Sequence, residues 1–176
     1  HLPLQSGDNE IRSQMNRNYT IEHYHGLVTK LRKAMPDIAI TTDLIAGFPN
    51  ESDAQFEHTM TAMRDIGFDY AFCFKFSPRE GTKASTMQDQ VEESVRLARL
   101  QDMIILQRQI TLDKFSAMIG REVEVYVEGL SKKSAAQISG KTEDYKIAVI
   151  TGTENQIGTL VRAKVIAATA GTLICS

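Results

Sequence analysis

Residues 38–49 read Ile38-Ala39-Ile40-Thr41-Thr42-Asp43-Leu44-Ile45-Ala46-Gly47-Phe48-Pro49. The run is dense in β-branched and apolar side chains and closes on a Gly-Phe-Pro turn, which predicts a strand buried on both faces. Such a strand belongs in a parallel sheet covered by helices, and its neighbours agree. Upstream, Thr20 can cap a helix on which Tyr24, Leu27, Leu31 and Met35 recur at helical spacing until Pro36 ends it. Downstream, Ser52 and Gln55 form a capping-box pattern, Phe56, Met60, Met63 and Ile66 fall on one stripe, and Gly67 supplies a stop. Residues 68–76 alternate with aromatics, as expected for a second strand, and residues 1–7 alternate before ending on Gly7, like a third. Strands alternating with helices of this length imply parallel βα units, because a parallel neighbour needs a crossover long enough to return along the sheet. Three strands are too few for a whole barrel or doubly wound sheet.

Composition sets the outer limits. The 176 residues are 42% hydrophobic and 24% charged, enough apolar side chain for a folded core. The formal net charge is −2, so any nucleic-acid contact has to come from a local patch. Two cysteines, Cys73 and Cys175, make no disulfide framework and suit a reducing compartment. With no apolar run long enough to cross a bilayer and no charged-then-apolar leader, the expectation is a cytoplasmic protein. The chain opens on His1 inside a strand-like pattern, as a piece of a longer protein would.

Residues 92–115 carry Leu97, Leu100, Ile104 and Leu112 in a long segment that fits one helix. After Gly120 the period changes to two: Val123, Val125 and Val127 alternate with Glu122, Glu124 and Glu128. Further strand-like runs at 146–151 and 160–167, separated by glycines, predict a small all-β barrel. The expected division is 1–116 for the α/β part and 117–176 for the β-barrel.

Individual motifs are ambiguous. Ser139-Gly140-Lys141-Thr142 invites a phosphate-loop reading, but Ala135 stands where that loop needs glycine. His1, His23, His25 and His58 have no metal-ligand spacing. Asp43, inside an apolar strand, needs a partner or a ligand, because an unpaired buried carboxylate costs several kcal/mol. A hydrogen-bonding aspartate that holds a neighbouring loop satisfies this as well as a ligand does. The turn at the strand's C-terminal end favours a ligand, since ligands in parallel α/β folds gather at that edge.

Four stretches occur in order: His1-Leu2-Pro3-Leu4-Gln5-Ser6-Gly7, Met15-Asn16-Arg17-Asn18-Tyr19-Thr20, Thr42-Asp43-Leu44-Ile45-Ala46-Gly47-Phe48-Pro49 and Phe76-Ser77-Pro78-Arg79-Glu80-Gly81-Thr82. Together they resemble the second half of the radical S-adenosylmethionine (SAM) barrel of methylthiotransferases. The segment Val127-Glu128-Gly129-Leu130-Ser131-Lys132-Lys133, with Ser139-Gly140-Lys141-Thr142, resembles the TRAM domain of the same enzymes.

The resemblance implies a partial parallel (β/α) barrel followed by a small antiparallel, OB-like β-barrel. It implies SAM as cofactor, with Gln5 and Arg17 facing its amino-acid and ribose region, Asp43 on the ribose hydroxyls, and Ile45 and Phe74 beside the adenine. Lys132, Lys133, Lys141 and Thr142 become candidate RNA contacts. By resemblance the whole enzyme carries two 4Fe–4S clusters, whose cysteine ligands this chain lacks, so the chain by itself is expected to bind no metal and to catalyse nothing. The implied reaction inserts a methylthio group at C2 of an N6-isopentenyl-type adenosine beside the tRNA anticodon. Close alternatives are relatives acting on threonylcarbamoyl-adenosine or on a ribosomal protein, and a non-catalytic RNA-binding fragment. The implied partner is the tRNA anticodon stem-loop, with neither DNA nor a membrane involved. Family members commonly carry Gly-Glu-Thr after Gly-Phe-Pro, where this chain has Asn50-Glu51-Ser52. Lys141 replaces a usual Arg, and Tyr145 stands near a usual Asn.

Overall fold

A computed structural model describes residues 1–132 and 134–176. The chain divides into two compact units, His1–Ile110 and Thr111–Ser176.

The first unit contains α1 (Asn9–Gln14), α2 (Ile21–Ala34), β1 (Thr41–Ala46), α3 (Asp53–Ile66), β2 (Tyr70–Lys75) and most of α4 (Glu93–Ser116). The starts of α1, α2 and α3 each have a local cause. Thr20 accepts from His23 N–H at the head of α2, and a complete Ser52/Gln55 capping box opens α3. Gly67 ends α3 in the left-handed region at φ 59°, where a side chain would be strained. The short α1 escapes apolar periodicity because only Ile11 and Arg12 are buried on it; Asp8 caps it by accepting from the N–H groups of Glu10 and Ile11.

Strand β1 pairs in parallel with β2, from Thr41 opposite Tyr70 to Ala46 opposite Lys75. Residues 2–5 run along its other edge: Leu2 N–H donates to Thr41 O (2.8 Å), Gln5 N–H to Asp43 O (2.8 Å), and Ile45 N–H to Gln5 O (2.9 Å). This segment makes one bridge, Gln5 to Leu44, and not the full strand expected for residues 1–7. The φ of 70° at Gln5 turns the chain out of extended geometry and stops the ladder.

The core lies on one side of β1. Leu44 and Ala46 pack with Tyr24 and Val28 of α2, Met60, Met63 and Ile66 of α3, Phe68, and Met103 of α4. The opposite face is open. Asp43 and Ile45 are half-buried there, and Phe72 and Phe74 on β2 are 56% and 52% exposed. The expectation of burial on both faces therefore holds for one face only, the one that the helices cover.

The second unit begins in the last turn and a half of α4, where Phe115 is fully buried. It contains β3 (Glu122–Ser131), β4 (Ser134–Thr142), β5 (Ile147–Thr151), β6 (Leu160–Ala168) and β7 (Leu173–Cys175). These close into a barrel in the order β3-β4-β5-β7-β6. All pairings are antiparallel except β5 with β7. The interior holds Val125, Val127, Ile138, Ala148, Ile150, Ala163, Val165, Leu173 and Cys175. Gly140, within the stretch that mimics a phosphate loop, has a packing role: a Cβ there would lie 1.9 Å from the carbonyl oxygen of Tyr126.

Candidate functional site

In the first unit, register alone brings four of the five expected ligand-facing residues together. Gln5 lies beside Asp43 and Ile45 through the hydrogen bonds above, and Ile45 stands opposite Phe74. Asp43 stands opposite Phe72, a residue the sequence reading had not singled out although it alternates with Phe74. The side chains of Asp43, Ile45, Phe72 and Phe74 share the open face, so a carboxylate sits among apolar and aromatic surface. The Asp43 side chain is 31% exposed and meets His1 Nε2 at 3.3 Å; the other ring nitrogen of His1 pairs with the Thr41 hydroxyl at 2.8 Å. His1 also packs edge-on to Phe72, with ring centroids 6.2 Å apart. Asp43 thus finds the partner that its strand position calls for while part of its carboxylate stays accessible.

Arg17 is placed differently. It lies exposed in the loop between α1 and α2, where its N–H donates to Arg12 O (2.9 Å). Arg12, fully buried, shapes that loop by donating to the Tyr19 carbonyl and stacking over the Tyr19 ring at 4.6 Å.

The turn at the C-terminal end of β1 is held from behind. Gly47 (φ 71°) and Asn50 (φ 67°) both take left-handed conformations. Glu51 Oε2 accepts from Gly47 N–H at 2.7 Å and from Arg99 at 2.8 Å, and Arg99 also donates to the Glu51 carbonyl (3.0 Å) and to Asp53 (2.6 Å). Burial raises the Glu51 carboxyl above its ordinary pKa, outweighing the lowering by Gly47 N–H and Arg99. One helical turn away, Arg96 donates to Phe76 O (2.8 Å), and its side chain fills the space that a Cβ on Gly47 would need. Two arginines of α4 therefore pin the ends of both strands. The sequence carries no local signal for this, because Glu51 and Arg99 meet across 48 positions.

In the second unit, Lys132 is exposed at the β3–β4 turn, while Lys133 lies outside the described residues. Lys141 points outward from β4, with Nζ 3.4 Å from Glu128 and 5.0 Å from the Tyr145 ring centroid. Thr142 faces inward: its hydroxyl donates to Asp144 and accepts from Lys146 N–H (3.0 Å), which closes the turn carrying Tyr145 at φ 66°. Tyr126 and Tyr145, 51% and 73% exposed, are aromatic rings on this surface; the sequence singles out Tyr145 only as a departure from the family and Tyr126 not at all. The available signal for Tyr126 was an aromatic in an outward slot of an alternating strand.

Comparison with known proteins agrees with both units. The Radical SAM superfamily model matches residues 1–63 and the TRAM domain model matches residues 116–175. The chain is similar to the tRNA-2-methylthio-N(6)-dimethylallyladenosine synthase of Moorella thermoacetica, 46% identical over 164 residues, which are 93% of this chain and 37% of that protein. The enzyme of the same name from Thermoanaerobacter sp. is 42% identical over 94% of this chain and 35% of its own length. That from Geobacillus thermodenitrificans is 44% identical over 98% of this chain and 33% of its own length. The chain thus spans about a third of the length of the curated relatives it matches. With an α/β unit that carries the radical SAM match, a closed β-barrel that carries the TRAM match, and relatives of one name along nearly its whole length, this chain belongs to the radical SAM tRNA methylthiotransferase family.

Proposed function

We propose that this chain holds the ribose end of SAM and the RNA substrate for insertion of a methylthio group at C2 of an N6-isopentenyl-type adenosine beside the tRNA anticodon. The observation that carries the reading is the open sheet face, where the partly exposed Asp43 carboxylate lies beside Ile45, Phe72 and Phe74. A carboxylate accepts hydrogen bonds from a ribose diol, and the neighbouring apolar and aromatic side chains suit an adenine face, so these residues fit SAM. When bound, SAM supplies the radical chemistry that reaches an unactivated ring carbon; the protein orients it and excludes water. Gln5 and Arg17 face the amino-acid and ribose region of SAM, and Glu51 and Arg99 keep the Gly47–Asn50 turn in shape. Domain roles follow the division 1–116 and 117–176, with Lys132, Lys133 and Lys141 contacting RNA and Thr142 shaping the turn beside them. The anticodon stem-loop is the partner, and the cytoplasm the setting.

The family's iron–sulfur clusters do not fit the residues present. Among the described residues no group of three His, Cys, Asp or Glu could hold a metal. Burial pushes the Cys73 thiol up to about 11 and raises Cys175 as well, which disfavours the thiolate that ligation requires. No described helix is long and apolar enough to cross a membrane.

Two measurements test this reading. In the complete enzyme, Asp43→Asn is expected to weaken SAM binding roughly 10- to 100-fold, the loss of about 1.5–3 kcal/mol for a charge-assisted hydrogen bond; calorimetric titration returning an unchanged Kd removes Asp43 from the site. Mass spectrometry of tRNA nucleosides from a deletion strain should show loss of methylthio-isopentenyladenosine. If that nucleoside is retained while methylthio-threonylcarbamoyl-adenosine or a modified ribosomal protein disappears, the substrate is the alternative one. The closed barrel also supports a second reading, in which the chain in isolation binds RNA without catalysing.

A further inference from the structure

One outward row crosses four strands of the barrel. Leu160 on β6 stands opposite Tyr126 on β3, Tyr126 opposite Lys141 on β4, and Lys141 opposite Ile147 on β5. Side chains opposite one another in an antiparallel ladder have Cβ atoms about 4.5–5.5 Å apart, so neighbours in the row touch. Leu160 is 67% exposed, Tyr126 51% and Ile147 45%, although the strands' inward positions are filled and offer nothing further to bury. Tyr145, in the β4–β5 turn, places its ring under the Lys141 ammonium. Lys141 thus stands between Tyr126 and Ile147 across the ladder, with the Tyr145 ring beneath its ammonium.

The charges around this row decide what it can bind. Lys141 is shared between Glu128 and the Tyr145 ring, and the nearby Arg162 is paired with Glu124 at 3.0 Å. Cations already matched by carboxylates release few counterions on meeting a phosphate backbone, so electrostatic gain here is small. Exposed rings beside a cation stack on the face of any base, whatever its sequence. Paired bases in an A-form helix present no free face, whereas loop nucleotides do.

We propose that Tyr126, Lys141 and Tyr145 form a stacking platform for unpaired RNA bases, a role distinct from phosphate attraction at Lys132 and Lys133. The proposal rests on the reading that the barrel binds RNA. It assigns this face to loop nucleotides and leaves the flanking duplex to Lys132 and Lys133.

The test uses the whole chain, an RNA hairpin with an unpaired loop, and the same stem with its loop nucleotides made abasic. Binding is followed by fluorescence anisotropy over a range of salt. Tyr126→Thr keeps strand propensity and Tyr145→Asn tolerates the left-handed turn, so together they remove both rings with little backbone cost. The double variant is expected to bind the hairpin at least tenfold more weakly, to lose the preference for hairpin over abasic stem, and to keep its salt slope. Tyr126→Phe with Tyr145→Phe should bind as the parent does. Lys132→Ala with Lys133→Ala should flatten the salt slope and keep the preference for the unpaired loop. If the ring-less variant retains the parent's loop preference while the lysine variant weakens, stacking is overturned and RNA binding stands. Equal weakening on both RNAs also overturns stacking, because the rings would then act through the barrel's shape. If the parent chain binds neither RNA, both readings fall.

Discussion

Arg99→Ala is expected to destabilise the first unit by about 3–5 kcal/mol, the usual cost of removing one partner of a buried ion pair. Arg99 and the Glu51 side chain are 8% and 0% exposed, so the carboxylate left behind has no water to turn to. The bond to Asp53 contributes little, since that side chain is 97% exposed. The effect should depend on pH in a direction that the structure sets. Burial places the Glu51 pKa above that of the unfolded chain. The protonated group therefore supports the folded state below its ordinary pKa, and that support is lost as pH rises through the folded value. Removing Arg99 moves the folded value further up, so the loss should be larger at neutral pH than in acid. Urea unfolding at both pH values checks this; an equal loss at each would mean that lost packing over the Phe56 ring, 5.4 Å from the guanidinium, is the cause and not the stranded charge. Adding Glu51→Gln to the variant should recover part of the loss at neutral pH.

Gly140→Ala should destabilise the barrel by about 3 kcal/mol, the upper end of ordinary overpacking costs. The added methyl would meet Tyr126 O at 1.9 Å and Val127 Cα at 2.9 Å, both backbone atoms of β3, so no side chain can swing away to make room. The strand itself has to shift, and with it the Tyr126 ring. Gly26→Ala supplies a control of opposite sign: Gly26 lies exposed within α2 with nothing within 4 Å of a new Cβ, and alanine there should stabilise by about 0.5–1 kcal/mol. Thermal melting of the two variants beside the parent tests both; a Gly140→Ala protein that melts with the parent would show that β3 yields at no cost.

Features that depend on near neighbours along the chain were legible in the sequence. The Thr20 and Ser52 caps, the Gly67 stop and the change from helical to alternating period after Gly120 all appear where their residues predict. Features that need distant residues were not. The one-sided burial of β1 depends on which neighbours cover it, and an apolar run looks the same whether one face or two is covered. The Glu51–Arg99 brace joins α4 to a turn far upstream, and β7 is too short at three residues for any period to register. Of the candidate site, Asp43 was legible as a carboxylate out of place in its strand, and Phe74 through the family resemblance; Phe72 emerged only when register put it opposite Asp43, and Tyr126 only when register put it opposite Lys141.

The parallel pairing of β5 with β7 carries a consequence for biosynthesis. Strands β3 to β6 can pair among themselves as soon as they leave the ribosome, but β5 and β6 are joined only through Leu173–Cys175. Until those three residues emerge, two strand edges with unpaired N–H and C=O groups stand open to neighbouring chains. Closure also seats Leu173 and Cys175 in the interior. A chain that lacks this short segment would keep most of its barrel sequence and still present sticky edges.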